Sequence, residues 1–217
     1  MKLSDFSEFL LCDASGEKLK LALCDARGAV LRSADSQERA MEAFFGSLAE
    51  ICPDADALAN VNAVALCTGT GSILGTRTAS VGLCTIAKFT GAEIFEWNCM
   101  EVAARALADA GRDGVSLFTP SRKGYANILV FESGVSLLRE IELAEIEAVA
   151  RGDRILLKQR EKNDPAFSDF EIFELDDATA AATLAKHAPL ARHCTSTPDA
   201  KSLTEREYVK WKAQAHI

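Results

Sequence analysis

Residues 64–91 read VALCTGTGSILGTRTASVGLCTIAKFTG. An apolar run (Val64, Ala65, Leu66, Cys67) meets three glycines within seven residues (Gly69, Gly71, Gly75), and an unbroken helical stretch follows over Thr76–Thr90. This is a strand, a glycine loop and a helix. Such a turn can aim backbone N–H groups at a phosphate, with the helix dipole adding to the attraction. The residues that complete a phosphate site are missing. A P-loop requires GxxxxGK[ST], whereas Gly75 is followed by Thr76 and Arg77, and the third glycine falls one residue too late for GxGxxG. Otherwise the glycines supply positive φ and close strand-to-helix packing.

Working outward, Phe9–Cys12 is a short apolar strand that runs into the turn Asp13-Ala14-Ser15-Gly16. Leu19, Leu21 and Leu23 alternate with Lys20, Ala22 and Cys24, and after the turn Asp25–Gly28 a third strand covers Ala29–Ser33. Three strands joined by tight turns predict an antiparallel meander. Met41, Phe44, Phe45, Leu48 and Ile51 then fall on one helical face, with Asp35 and Glu38 as a capping pair and Pro53 as the stop. After an acidic, alanine-rich link come a strand over Val61–Cys67, the loop and helix above, and a strand over Ala92–Trp97. A helix follows, capped by Asn98 and Glu101, with Val102, Ala103, Ala106 and Leu107 on its apolar face, and Gly111 stops it.

The order βββαβαβα over residues 1–112 predicts a mixed five-stranded sheet with helices packed on it. Residues 113–217 read as a shortened repeat. Its strands are expected over Val115–Phe118, Asn127–Phe131, Val135–Arg139, Ile155–Leu157 and Phe170–Phe173, with Ser133-Gly134 as a tight turn. Helices are expected over Glu140–Ala150, Asp177–His187 and Leu203–Ala215, the last capped by Ser202 and Glu205. Loops are expected over Glu161–Ser168 and Pro189–Ser202.

Composition narrows the function classes. With 217 residues, 48% of them hydrophobic, and a mean hydropathy of +0.04, the chain suits a soluble globular protein. A net charge of −8 argues against a surface built to neutralise nucleic-acid phosphates. No apolar run reaches membrane-span length, and the acidic start MKLSDFSEFL does not suit a signal peptide, so a cytoplasmic location is expected. Seven cysteines without a CxxC pair read as buried free thiols. The three histidines (His187, His193, His216) crowd near the C-terminus, where His193 adjoins Cys194.

The element order is that of the ribonuclease-H-like fold, used twice in the actin, Hsp70 and sugar-kinase superfamily. Within it the chain resembles the TsaB (YeaZ) family, the partner proteins of bacterial threonylcarbamoyladenosine tRNA modification. Leu10–Ser15 (LLCDAS) stand where the family has a strand followed by D-T-S. Gly69–Arg77 (GTGSILGTR) match the loop G-P-G-S-F-T-G-L-R without a gap, although Thr70 replaces Pro and Leu74 replaces Thr. The helix ASVGLCTIAK is similar to the family's small-residue helix, and Ser121–Ala126 (SRKGYA) to its D-A-R-K-G-E-V-Y segment without the aspartate. The likeness covers roughly the first 140 residues.

The resemblance implies a fold of two ribonuclease-H-like lobes, an accessory role without catalysis, and no cofactor or metal. The implied partners are a TsaD-like protein and a TsaE-like ATPase, with tRNA reached only through the complex, no membrane, and a homodimer when isolated. TsaD-type relatives hold a metal with H-x-x-x-H histidines, and here no histidine precedes position 187. The partner surface implied is the first two helices, at Met41, Phe44, Phe45, Leu48, Ser80, Leu83, Cys84 and Ala87. These side chains could equally belong to the intramolecular core. Asp13, Ser15, Gly69, Gly71, Ser72 and Gly75 would form a vestigial phosphate loop, with Asp13 as either a magnesium-phosphate contact or an Asx turn. The alternatives are an ATP-binding kinase or ATPase of the same superfamily, and a repurposed homodimeric protein.

Overall fold

The computed structural model describes residues 1–36, 38, 40–160, 165–200 and 203. The helix expected over Leu203–Ala215, its Ser202 and Glu205 pair, and His216 lie outside the described residues, as does the side chain of Met41.

Strands β1 (Glu8–Asp13), β2 (Leu19–Asp25) and β3 (Val30–Ser36) form the expected meander, with Leu10 opposite Leu23 and Leu21 opposite Ala34. Asp35 lies in β3 opposite Lys20, so it caps no helix. Helix α1 begins at Ala40 and ends at Ile51. The alanine-rich link folds into a short helix α2 (Ala55–Ala59), whose Asp54 side chain accepts from the Ala57 amide. Strand β4 (Ala63–Cys67) runs parallel to β1, and β5 (Glu93–Trp97) parallel to β4. Between them α3 covers Ile73–Thr90, three residues earlier than the sequence indicates, because the Ser72 hydroxyl accepts from the Gly75 amide. Helix α4 (Cys99–Asp109) is capped by Asn98, whose side chain accepts from the Met100 and Glu101 amides.

The second half repeats this plan. Strands β6 (Val115–Pro120), β7 (Tyr125–Glu132) and β8 (Val135–Glu142) are an antiparallel meander. Strand β9 (Asp153–Leu157) runs parallel to β6, and β10 (Glu171–Phe173) parallel to β9. The sheet order β10-β9-β6-β7-β8 therefore matches β5-β4-β1-β2-β3 strand for strand. What has shrunk is the helical layer. Where the sequence indicates a helix over Glu140–Ala150, β8 continues to Glu142, and only α5 (Ile146–Val149) remains, after a 3-10 turn.

Helix α6 (Asp177–Lys186) returns to the first lobe and packs against α4. The segment read as a loop then adds strand β11 (Arg192–Cys194), antiparallel to β5, which makes the first sheet six-stranded. The main core lies between the two sheets and is lined by Phe9, Leu11, Trp97, Leu117, Leu129 and Ile155. A second core, including Leu10, Leu21, Val64 and Leu66, lies under α1 and α3. Both faces of the central strands are thus covered, which accounts for their continuous apolar runs.

Candidate functional site

Two places follow from the sequence reading: the seam between the lobes at the glycine loop, and the outer face of α1 and α3. At the seam, Asp13, Ser15, Gly69, Gly71, Ser72 and Gly75 do come together. Asp13 Oδ1 accepts from the Ser15 amide at 2.8 Å and from its hydroxyl at 2.6 Å, the Asx turn considered above. The Ser72 amide donates to the Ser15 carbonyl at 2.7 Å. Gly71 has a φ of +145°, and a Cβ there would overlap the Ser15 carbonyl oxygen. A Cβ on Gly69 would sit 3.0 Å from the Cys99 amide and thiol. These glycines let the β1–β2 turn, the loop and the start of α4 approach each other closely.

The second lobe closes this seam. Gln159, just beyond β9, donates through Nε2 to the Thr70 carbonyl at 2.6 Å, and its own carbonyl accepts from the Glu17 amide at 2.9 Å. The Thr70 and Thr119 hydroxyls are 3.0 Å apart, and Asn127 Nδ2 donates to Thr119 at 3.1 Å. The cavity that remains beside Asp13, Ser15, Lys20, Cys99 and Gln159 measures about 70 Å³. A second, open cavity of about 530 Å³ adjoins it, lined by Ala14, Ser15, Gly16, Ser72, Gly75 and Arg160; small-molecule pockets typically measure ~300–1,000 Å³, so only the first is too small for a nucleotide. Burial pushes the Cys67 thiol well up, and its hydrogen bond with Cys99 adds to the rise, which suits inert packing. Gln159, Thr119 and Asn127 were not legible in the sequence, since isolated polar residues carry no periodic signal.

On the helical face the expected residues separate. Phe44 is 2% exposed, and a Cβ on Gly82 would overlap its ring. Leu48, Leu83 and Ala87 are also buried in the chain's own core. Ser80 is covered by the chain near Pro198, whose carbonyl accepts from its hydroxyl at 2.5 Å. Cys84 is half-buried. Phe45, edge-on to Phe44 with ring centroids 5.3 Å apart, is 63% exposed. Leu74, Val81 and Phe89 on α3 are 68%, 67% and 85% exposed, so α1 and α3, which pack together, both carry exposed apolar side chains.

The histidines make pairwise contacts. His187 Nε2 lies 2.8 Å from Asp109 Oδ2, and His193 Nε2 lies 2.7 Å from Glu93 Oε2. Hydrogen bonds from Lys186 and His187 hold the Asp109 carboxyl below its usual range. The Cys194 thiol donates to the Arg192 carbonyl at 3.6 Å. Among the described residues no group of three His, Cys, Asp or Glu side chains is placed to hold a metal, and no helix is long and apolar enough to cross a membrane.

Two sheets that share one five-strand order, each opening with a meander and the first carrying β11 as an added edge strand, define the duplicated ribonuclease-H-like architecture. In particular, the fold is that of YeaZ from Pseudomonas aeruginosa, at a TM-score of 0.58 and 18% identity over 83% of this chain and 91% of that one. A Pseudomonas aeruginosa protein described as similar to the peptidase YeaZ matches at a TM-score of 0.58 and 17% identity, over 83% of this chain and 92% of that one. No protein-family model and no curated protein matches the chain.

Proposed function

We propose that the chain is a TsaB-type accessory protein, a non-catalytic partner of a TsaD-like protein in forming N6-threonylcarbamoyladenosine at position 37 of tRNA. The observation that carries this reading is the uncovered apolar set on the two adjacent helices, Phe45 on α1 with Leu74, Val81 and Phe89 on α3. Side chains of this size are enriched in the desolvated centres of protein interfaces. The YeaZ-like fold and the nine-residue likeness of the Gly69–Arg77 loop support it. The chain holds its partner in an active arrangement, transfers no group itself, and meets a TsaE-like ATPase and tRNA only within the larger assembly.

The test is co-purification with the TsaD of the same organism, repeated with Phe45→Asp. Because Phe45 is mostly exposed, the variant should keep its circular dichroism and its melting temperature. An unpaired charge in a desolvated interface costs about 3–5 kcal/mol, so binding should fall by more than a hundredfold. Failure of the wild type to bind would refute the reading.

A further inference from the structure

The two lobes share a strand order, but their outer layers differ. In the first, the connection from β3 to β4 carries α1, which packs on β2 and β3 and puts Phe44, Leu48 and Ile51 into the core beneath it. In the second, the connection from β8 to β9 carries α5, which has four residues and buries Ile146. Ile146 and Phe167 cover one end of the β7–β8 face, at Ala126, Ile128 and Ile141. The end toward the Ser133-Gly134 turn stays open as a groove of about 620 Å³, lined by Val130, Val135, Leu137, Val149, Arg139 and Arg151 among others. Val135 and Leu137 are 70% and 58% exposed. Val130 pairs with Leu137 and Glu132 with Val135, so these alternate residues of the two strands share one face.

The groove combines apolar side chains with positive charge. Arg151 Nη1 donates to the Ala148 and Ala150 carbonyls, and among the described residues no carboxylate pairs with Arg139 or Arg151. The lining also holds Glu132, next to the turn, so two cations stand against one acid. We propose that this groove docks an amphipathic helix of a partner protein, with its apolar stripe on Val130, Val135 and Leu137 and its acidic residues toward Arg139 and Arg151. The first lobe supplies the template. There the equivalent face is taken by α1, whose sequence AMEAFFGSLAEI has two acids, Glu42 and Glu50, and no basic residue. Its charge has the sign that the arginines of the second-lobe groove attract. The site lies on the opposite lobe from Phe45 and does not depend on the accessory-protein reading.

The probe is a fluorescein-labelled peptide of leucine, alanine and glutamate, cross-linked into an amphipathic helix, with a lysine-for-glutamate version as its control. Fluorescence anisotropy with the full chain should show the acidic peptide binding about tenfold more tightly or better, because each arginine gains a charged partner. Leu137→Thr keeps strand propensity and should weaken binding about tenfold, the scale of one buried leucine side chain. Arg139→Glu combined with Arg151→Glu, both exposed positions, should reverse the preference in favour of the lysine peptide. Phe45→Asp should change nothing, which separates this groove from the helical face. No binding of either peptide, equal binding of both, or binding that Leu137→Thr leaves intact would overturn the proposal. So would self-association of the chain that Leu137→Thr abolishes, which makes a second copy the occupant.

Discussion

Gln159 and Thr70 lie 89 residues apart in sequence, yet the side-chain amide of the first donates to the backbone carbonyl of the second at 2.6 Å. One side chain of the second lobe thereby fixes the glycine loop of the first. It also makes longer contacts of 3.5 Å with the Ser15 hydroxyl and the Cys99 thiol. Gln159→Ala leaves the Thr70 carbonyl without this donor, and should cost about 1–3 kcal/mol of stability. Urea unfolding should show a lower midpoint at unchanged slope. An unmoved midpoint would mean that the seam is held without this side chain, by the backbone bond to Glu17 and the Thr70–Thr119 pair.

Phe44 and Phe45 are neighbours with opposite burial, so they make a matched pair of tests. Phe44→Ala should cost about 3–5 kcal/mol, as expected for a ring removed from a core, while Phe45→Ala should stay within about 0.5 kcal/mol of the unaltered chain. Gly82→Ala adds the methyl group that the Phe44 ring excludes. The helix gains about 1 kcal/mol from losing a glycine, but overpacking costs about 1–3 kcal/mol, so the single variant should be less stable. In a Phe44→Leu background the sign should reverse. Thermal melts of the double-mutant cycle check this, and additive effects would show that the two residues do not compete for space.

Asp177, the first residue of α6, has its carboxyl pushed up to about 6 from an ordinary 3.8, chiefly by burial; Lys20 opposes the rise, and Asp35, Asp13 and Asp176 add to it. Because the folded value is raised, the folded chain binds the extra proton between these two values. The contribution of this group to stability is therefore greatest at low pH and falls as pH rises through roughly 4 to 6. Asp177→Asn removes that titration. Relative to the unaltered chain the variant should gain on the order of 1 kcal/mol between pH 4 and pH 7, a figure discounted because solvent screens a half-buried group. Unfolding midpoints compared at the two pH values decide it, and a difference that is flat with pH would count against the buried carboxyl.

Much of the architecture was legible because it rests on local pattern. The alternation at Leu19, Leu21 and Leu23 marks β2, and Asn98 and Gly111 bracket α4 from its caps alone. The repeat of the meander in the second half was equally visible. Elements set by tertiary contact were not. Asp35 belongs to β3 because Lys20 lies opposite it, and β11 is three residues, Arg192-His193-Cys194, that become a strand only because β5 offers an open edge. The Glu140–Ala150 stretch has good helix formers, but its first three residues continue β8 beside β7. For the helical face, periodicity selects Phe44 and Phe45 together. Only the position of Gly82 shows which ring turns inward.

The three-residue strand β11 has a consequence in time. It closes the outer edge of the first sheet, yet it is made almost a hundred residues after β5. At a synthesis rate of ~5–20 residues per second, β5 waits roughly 5–20 s on the ribosome with its hydrogen-bonding edge unpaired. An unpaired edge is a template for other strands, so the nascent chain passes through an interval in which another polypeptide can take the place reserved for β11.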